Sequence, residues 1–169
     1  MSVEEHKARG ERLGSLKSTV ITVSDTRTLE TDTSGQAIVA ALEKAGHEVV
    51  ERTVVPDDPP KVERVLKYWL AADVQIVVLN GGTGIAPRDG TVEVVSAALD
   101  RELPGFGELF RYLSYKQIGS AAMLSRAVGG IASGKVVFSL PGSRKAVRLA
   151  MEKLILPELD HLVSQLRGS

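Results

Sequence analysis

The sequence predicts an α/β domain: a mostly parallel sheet covered on both faces by helices, with one antiparallel hairpin near its end. Two observations point there. Short runs rich in Val, Ile and Thr alternate with segments whose apolar residues recur at helical spacing, the pattern of successive β-α-β units. Late in the chain, two strand candidates are joined only by Ser133-Gly134, and so tight a connection implies antiparallel pairing.

Taken in order, residues 18–23 form an apolar, β-branched run that reads as the first strand. Asp32-Thr33-Ser34 offers N-caps for a helix carrying Ile38, Ala41, Leu42 and Ala45, and Gly46 ends it. Residues 48–55 read as the second strand, stopped by Pro56. Asp57-Asp58-Pro59-Pro60 then starts a helix with a capping Asp and Pro in the first turn. Val62, Val65, Leu66 and Trp69 give its apolar face. Residues 74–79 form the third strand, and 91–99 a short helix. Pro104 opens a longer helix with Phe106, Leu109, Phe110 and Leu113 on one face, interrupted at Gly119. Residues 127–133 and 135–140 are the hairpin strands, and two C-terminal helices follow, split at Pro157.

Composition narrows the function. At 169 residues and 43% hydrophobic, the chain fits one domain, and a chain of about 150 residues buries roughly 68–70% of its unfolded surface. Residues 1–15 read as a mobile tail and 16–169 as a single domain. Basic and acidic residues balance at 21 each, which argues against nucleic acid as a partner. The absence of Cys excludes disulfides, thiolate catalysis and Cys-ligated zinc and is compatible with a cytoplasmic location. The polar N-terminus has no apolar signal region. No apolar run approaches the ~20 residues of a membrane helix, so no membrane role is expected. His6, His47 and His161 share no spacing that suggests a common site and read as surface residues.

The chemistry concentrates at strand ends. In such sheets ligands bind beyond the carboxyl ends of the strands, which gathers Ser24-Asp25, Pro56-Asp57-Asp58, residues 81–91 and Pro141-Gly142-Ser143. Gly81-Gly82-Thr83-Gly84 brings backbone N–H groups close to a ligand, because glycine lacks a Cβ. Arg88, Asp89 and Thr91 follow in the same loop, where the Arg can hold a phosphate and the Asp a metal ion. The spacing matches neither the dinucleotide fingerprint nor the Walker loop. Asp57 and Asp89 in separate strand-end loops suit a magnesium ion on polyphosphate, a hard cation taking few protein oxygens. Asp89 could instead cap the helix at Thr91, Asp57 or the better-placed Asp58 the helix that starts at Pro59, and Ser143 the helix over 144–154, where a phosphate is the alternative. Ser24-Asp25 could be a simple turn, and Arg126 a helix-end charge.

Together these residues resemble the MoaB/MogA family of molybdenum cofactor biosynthesis proteins, related to the G domain of gephyrin. The matching pieces run in the family's order: Thr22-Val23-Ser24-Asp25, Asp32-Thr33-Ser34-Gly35, Val55-Pro56-Asp57-Asp58, Gly81-Gly82-Thr83-Gly84, Arg88-Asp89-Gly90-Thr91, Pro104-Gly105-Phe106-Gly107-Glu108, Leu124-Ser125-Arg126 and Leu140-Pro141-Gly142-Ser143. The Asp32–Gly35 run and the helix from Phe106 to Ser114 lie closer to the MoaB branch, some of whose members lack part of the acidic pattern. This chain retains Pro56-Asp57 and Arg88-Asp89.

The resemblance implies a three-layer α/β/α domain assembled as a homotrimer or a hexamer of two trimers. It implies molybdopterin as substrate, Mg²⁺, and ATP as the source of an AMP group, with Asp57 and Asp89 as the catalytic acidic pair. Ser24, Asp25, Gly81, Gly82, Thr83, Gly84, Arg88, Thr91, Ser125, Arg126, Pro141, Gly142 and Ser143 fall in segments that contact nucleotide or pterin. A downstream metal-insertion protein is the expected recipient. The alternative is a non-catalytic carrier of the pterin or nucleotide in the same pathway.

Overall fold

The computed structural model describes residues 2–5 and 13–168. Its centre is a stack of three strands with almost no exposed position: β1 (Lys17–Val23), β3 (Ile76–Asn80) and β6 (Lys135–Leu140). β2 (Glu48–Val55) extends the sheet beyond β1. β5 (Val128–Ala132) and the two-residue β4 (Arg101–Glu102) close the other side. The order is β2-β1-β3-β6-β5-β4. The first four strands are parallel, and β5 runs antiparallel to both β6 and β4.

Alternation along each strand decides which layer a side chain enters. Val20, Val78, Val136 and Phe138 point to one face. There they meet α1 (Thr33–Lys44), α4 (Pro104–Ile118), α5 (Arg144–Ala150) and α6 (Leu156–Leu166) through Ile38, Phe110, Val147 and Leu159. Ile21, Val77, Leu79 and Val137 point to the other, against α2 (Pro59–Ala71) and α3 (Thr91–Ala98) through Leu66, Trp69 and Val95. The result is the expected α/β/α sandwich with two cores. The hairpin is also as expected: Ser133 and Gly134 both take positive φ, 50° and 71°, the requirement of a two-residue turn whose twist matches its strands.

Four expectations change. β4 was not foreseen, because two charged residues carry no alternation; it is held by Asp100 N–H to Ile131 O and Leu103 N–H to Gly129 O, 2.8 Å each. The C-terminal helices are not split at Pro157. A π-helical segment, Met151–Ile155, joins α5 to α6, widening the ladder just where a proline removes a donor. The apolar stripe of α4 divides: Phe106 and Phe110 are buried, whereas Leu109 is 53% exposed. His47 is buried, with Nδ1 accepting from Leu16 N–H at 3.3 Å, and His161 is half-buried beside Glu158; His6 lies outside the described residues. The expected mobile tail, 1–15, falls largely outside them too, and among its described residues Leu13 packs against the core beside the fully buried Leu16.

Candidate active site

The parallel strands deliver their carboxyl ends to one edge, and the loops that follow are tied together there. Ser24 N–H bonds Val55 O at 2.9 Å and Gly81 N–H bonds Leu140 O at 3.0 Å. Asp57 N–H donates to Asp25 Oδ1 at 3.0 Å. All four loops singled out in the sequence therefore meet.

The glycine loop is shaped by contact. Gly81 and Gly82 take φ of +92° and +64°. A Cβ at Gly81 would collide with Val23 O. One at Gly82 would collide with Thr91 Oγ1 and come 3.1 Å from Asp57 Oδ1. Gly142 packs on Gly81, where its Cβ would lie 3.1 Å from Gly81 Cα. Because Gly81 N–H is taken by Leu140, the N–H groups of Gly82, Thr83 and Gly84 are the remaining candidates for an anion.

Asp57 and Asp89 face each other beside this loop. Burial first, and then the neighbouring Asp89 carboxylate, raise the Asp57 pKa above the ordinary aspartate value. Asp57 Oδ1 and Thr91 Oγ1 are buried without a hydrogen-bond partner, although such atoms are normally satisfied. Asp89 does not cap α3, whose N-cap is Gly90; its Oδ2 accepts from Ala86 N–H at 3.0 Å. Asp58 does occupy the N-cap of α2 but makes no side-chain cap bond. Two hard carboxylates with an unpartnered buried oxygen suit magnesium. Among the described residues no three acidic or imidazole groups cluster as metal ligands, so the protein would supply these two, and water and phosphate the rest.

Other expected residues take more local roles. Ser24 Oγ closes a turn, accepting from Thr26 and Arg27 N–H at 3.2 and 3.1 Å. Ser143 caps α5, accepting from Ala146 N–H at 3.1 Å. Arg88 is paired with Asp25 and remains 63% exposed. Ser125 offers its carbonyl to Arg111 at 3.3 Å. Arg126 is no surface charge: its guanidinium reaches back to the glycine loop, with Nε donating to Thr83 O at 3.1 Å. Pro141 leads into Gly142, whose carbonyl accepts from Ser34 Oγ at 2.7 Å.

Beneath the site lies a network that the sequence reading missed. Asp32 Oδ2 accepts from Thr22 Oγ1 at 2.8 Å and Arg52 Nη1 at 2.9 Å, while Oδ1 caps α1 through Gly35 N–H at 2.9 Å. Asn80 Nδ2 donates to Thr22 Oγ1 at 2.9 Å. The available signal was a polar residue, Thr22 and Asn80, close to the carboxyl end of each of two buried strands.

A cleft of about 710 Å³ opens beside the loop, lined by Pro59, Glu63, Pro87, Asp89, Glu93 and Arg126 among others. No helix among the described residues is long and apolar enough to cross a membrane.

The family described as a probable molybdopterin binding domain matches residues 19–161. Molybdenum cofactor biosynthesis protein B from Bacillus cereus is 54% identical over 168 residues, covering 98% of this chain and 98% of that protein. A crystal structure of a molybdenum cofactor biosynthesis protein B, 54% identical, superposes with a TM-score of 0.87 over 92% of this chain and 98% of that one. That of the tungsten cofactor synthesizing protein MoaB from Pyrococcus furiosus, 40% identical, gives 0.82 over 90% and 98%. On this similarity of sequence and fold, the chain belongs to the MoaB/MogA family of molybdenum cofactor biosynthesis proteins.

Proposed function

We propose that this protein, within molybdenum cofactor biosynthesis, binds molybdopterin and transfers AMP from Mg-ATP to its terminal phosphate, releasing pyrophosphate. The observation that carries the reading is the facing pair Asp57 and Asp89, with Asp57 Oδ1 buried and unpartnered against the glycine loop. The attacking group is a phosphate monoester, whose second pKa near 6 leaves it charged at neutral pH. A strong general base is therefore unnecessary, and the obstacle is the repulsion between two anions. Asp57 and Asp89 are the residues that would hold Mg²⁺, which when bound neutralises polyphosphate charge. The N–H groups of Gly82, Thr83 and Gly84 orient phosphate oxygens, and exposed Arg88 turns its guanidinium from the Asp25 carboxylate to phosphate at the rim. The 710 Å³ cleft has the size of a small-molecule site and brings the nucleotide to Asp89.

α4 presents Leu109, Tyr112, Tyr115 and Ile118 to solvent, with Met123 and Leu124 beyond its end. Exposed apolar surface of this kind marks an interaction site, and we assign it to self-association into a trimer or hexamer. The adenylylated product passes in the cytoplasm to a downstream metal-insertion protein.

The test is pyrophosphate release from Mg-ATP with and without freshly prepared molybdopterin. Release should require both pterin and Mg²⁺. Asp89→Asn should retain pterin binding while the rate falls by on the order of 10²-fold or more. A folded, pterin-bound parent that releases no pyrophosphate would establish the carrier instead.

A further inference from the structure

We infer that Arg126 is a positioning residue that clamps the two ends of the 83–89 loop and so sets where the Asp89 carboxylate stands. Nε donates to Thr83 O at 3.1 Å, and Nη2 donates to Gly84 O at 2.6 Å and to Asp89 O at 3.3 Å. One planar group thus ties the carbonyls at the start of the loop to the carbonyl of the acidic residue at its end. Its remaining side is occupied by Glu93 on the first turn of α3: Nη1 pairs with Oε1, and Nη2 reaches Oε2 at 3.5 Å. The Glu93 carboxyl is held below the ordinary glutamate range, chiefly by its hydrogen bond from Arg126.

The guanidinium is therefore engaged by protein acceptors, and a role as direct phosphate ligand would require it to abandon them. Its own backbone is fixed as well. Arg111 Nη1, from α4, donates to Ser125 O at 3.3 Å and to Ala127 O at 3.1 Å, the carbonyls on either side of Arg126. Lysine cannot reproduce this pattern, because its ammonium lacks a rigid fork able to span separate carbonyls. Beyond this clamp, the exposed Arg88–Asp25 pair ties the middle of the loop to the end of β1, and Thr91 N–H bonds Gly82 O at 3.1 Å just outside it. Asp89 N–H bonds Ala86 O at 2.9 Å and Ala86 N–H bonds Asp89 Oδ2 at 3.0 Å, so those bonds shape the turn internally without anchoring it to the body.

The rate readout of this inference rests on the adenylyl-transfer reading; the structural readout does not. Arg126→Lys and Arg126→Gln are compared with the parent by backbone amide exchange in the unliganded protein, by Mg-ATP-dependent transfer kinetics and by thermal unfolding. The expected result is faster exchange at residues 84–90 with the amides of β1, β3 and β6 unchanged. In the rate assay kcat should fall by about 10²-fold, the scale of a misplaced reacting group, with little change in KM for nucleotide. Lysine should rescue neither readout. Glu93→Gln, which keeps the three carbonyl bonds, should show a smaller loss of kcat. Unchanged exchange at 84–90 in both Arg126 variants overturns the clamp, as does a raised KM with kcat preserved, the mark of a direct ligand. If the parent shows no transfer, the function reading fails while amide exchange still decides the clamp.

Discussion

Two aspartates at neighbouring strand ends receive opposite treatment. Asp32 is 1% exposed, and both its oxygens are used: Arg52 neutralises it, Thr22 donates to it, and the N-terminus of α1 is closed by it. Asp57 is less buried, yet one oxygen has no partner and the nearest ionisable group is another carboxylate. A buried charge that is paired and hydrogen-bonded holds structure together. A desolvated charge facing a like charge costs stability in the empty protein and is relieved when a cation or donor arrives. The same residue type thus builds the floor in one place and the proposed binding edge in the other.

Three changes sharpen that contrast. Asp32→Ala should be the most damaging to stability, since it leaves the Arg52 guanidinium, 20% exposed in the native protein, with the Leu29 carbonyl but no carboxylate partner and removes the α1 cap. A loss of about 3–5 kcal/mol is expected, read as a lower urea midpoint; a shift below about 1 kcal/mol would show that the pair behaves as a surface one. Asp57→Asn should move the other way. The Asp57 pKa is raised, so its ionisation costs folded-state stability as pH rises from the ordinary carboxylate value through the folded one. At pH 7 without ligand the variant should be more stable by about 1 kcal/mol and inactive in transfer. Thermal unfolding at pH 7 and at pH 3 measures this, with the gain expected only at the higher pH. Glu93→Gln should have the smallest stability effect. The lowered pKa of Glu93 contributes stability above the ordinary glutamate value that is lost as pH falls through the folded one. Because Glu93 is 61% exposed, screening limits the difference to under about 1 kcal/mol, and it should vanish in acid.

Much of this was legible beforehand where the signal is local. The apolar runs placed β1, β2 and β6 within a residue of their observed bounds, and Asp32 caps α1 as its position before Thr33-Ser34 suggested. Asp57 and Asp89 stand out in the sequence as a pair because each lies in a loop that follows a strand end. β4 and the π-helical junction were not legible, because one is two residues long and the other depends on how a proline fits an already packed helix. The Leu124-Ser125-Arg126 motif marks Arg126 in the sequence, but the three carbonyls it binds lie 37 to 43 positions earlier in the chain.

Composition and periodicity determined, without any structure, that this is a sheet with helices on both faces and polar loops at one end. Those properties follow from side-chain spacing and need only near neighbours in the chain. The tertiary structure alone decided which of the polar residues would be satisfied. Asp32 and Asp57 are chemically the same group, and each sits beside a helix start. What separates them is that parallel pairing of β1 with β2 and β3 brings Arg52 and Thr22 to the first while the return of the glycine loop brings Asp89 to the second. Long-range pairing sets the partners of a charge, and the partners set whether it serves stability or binding.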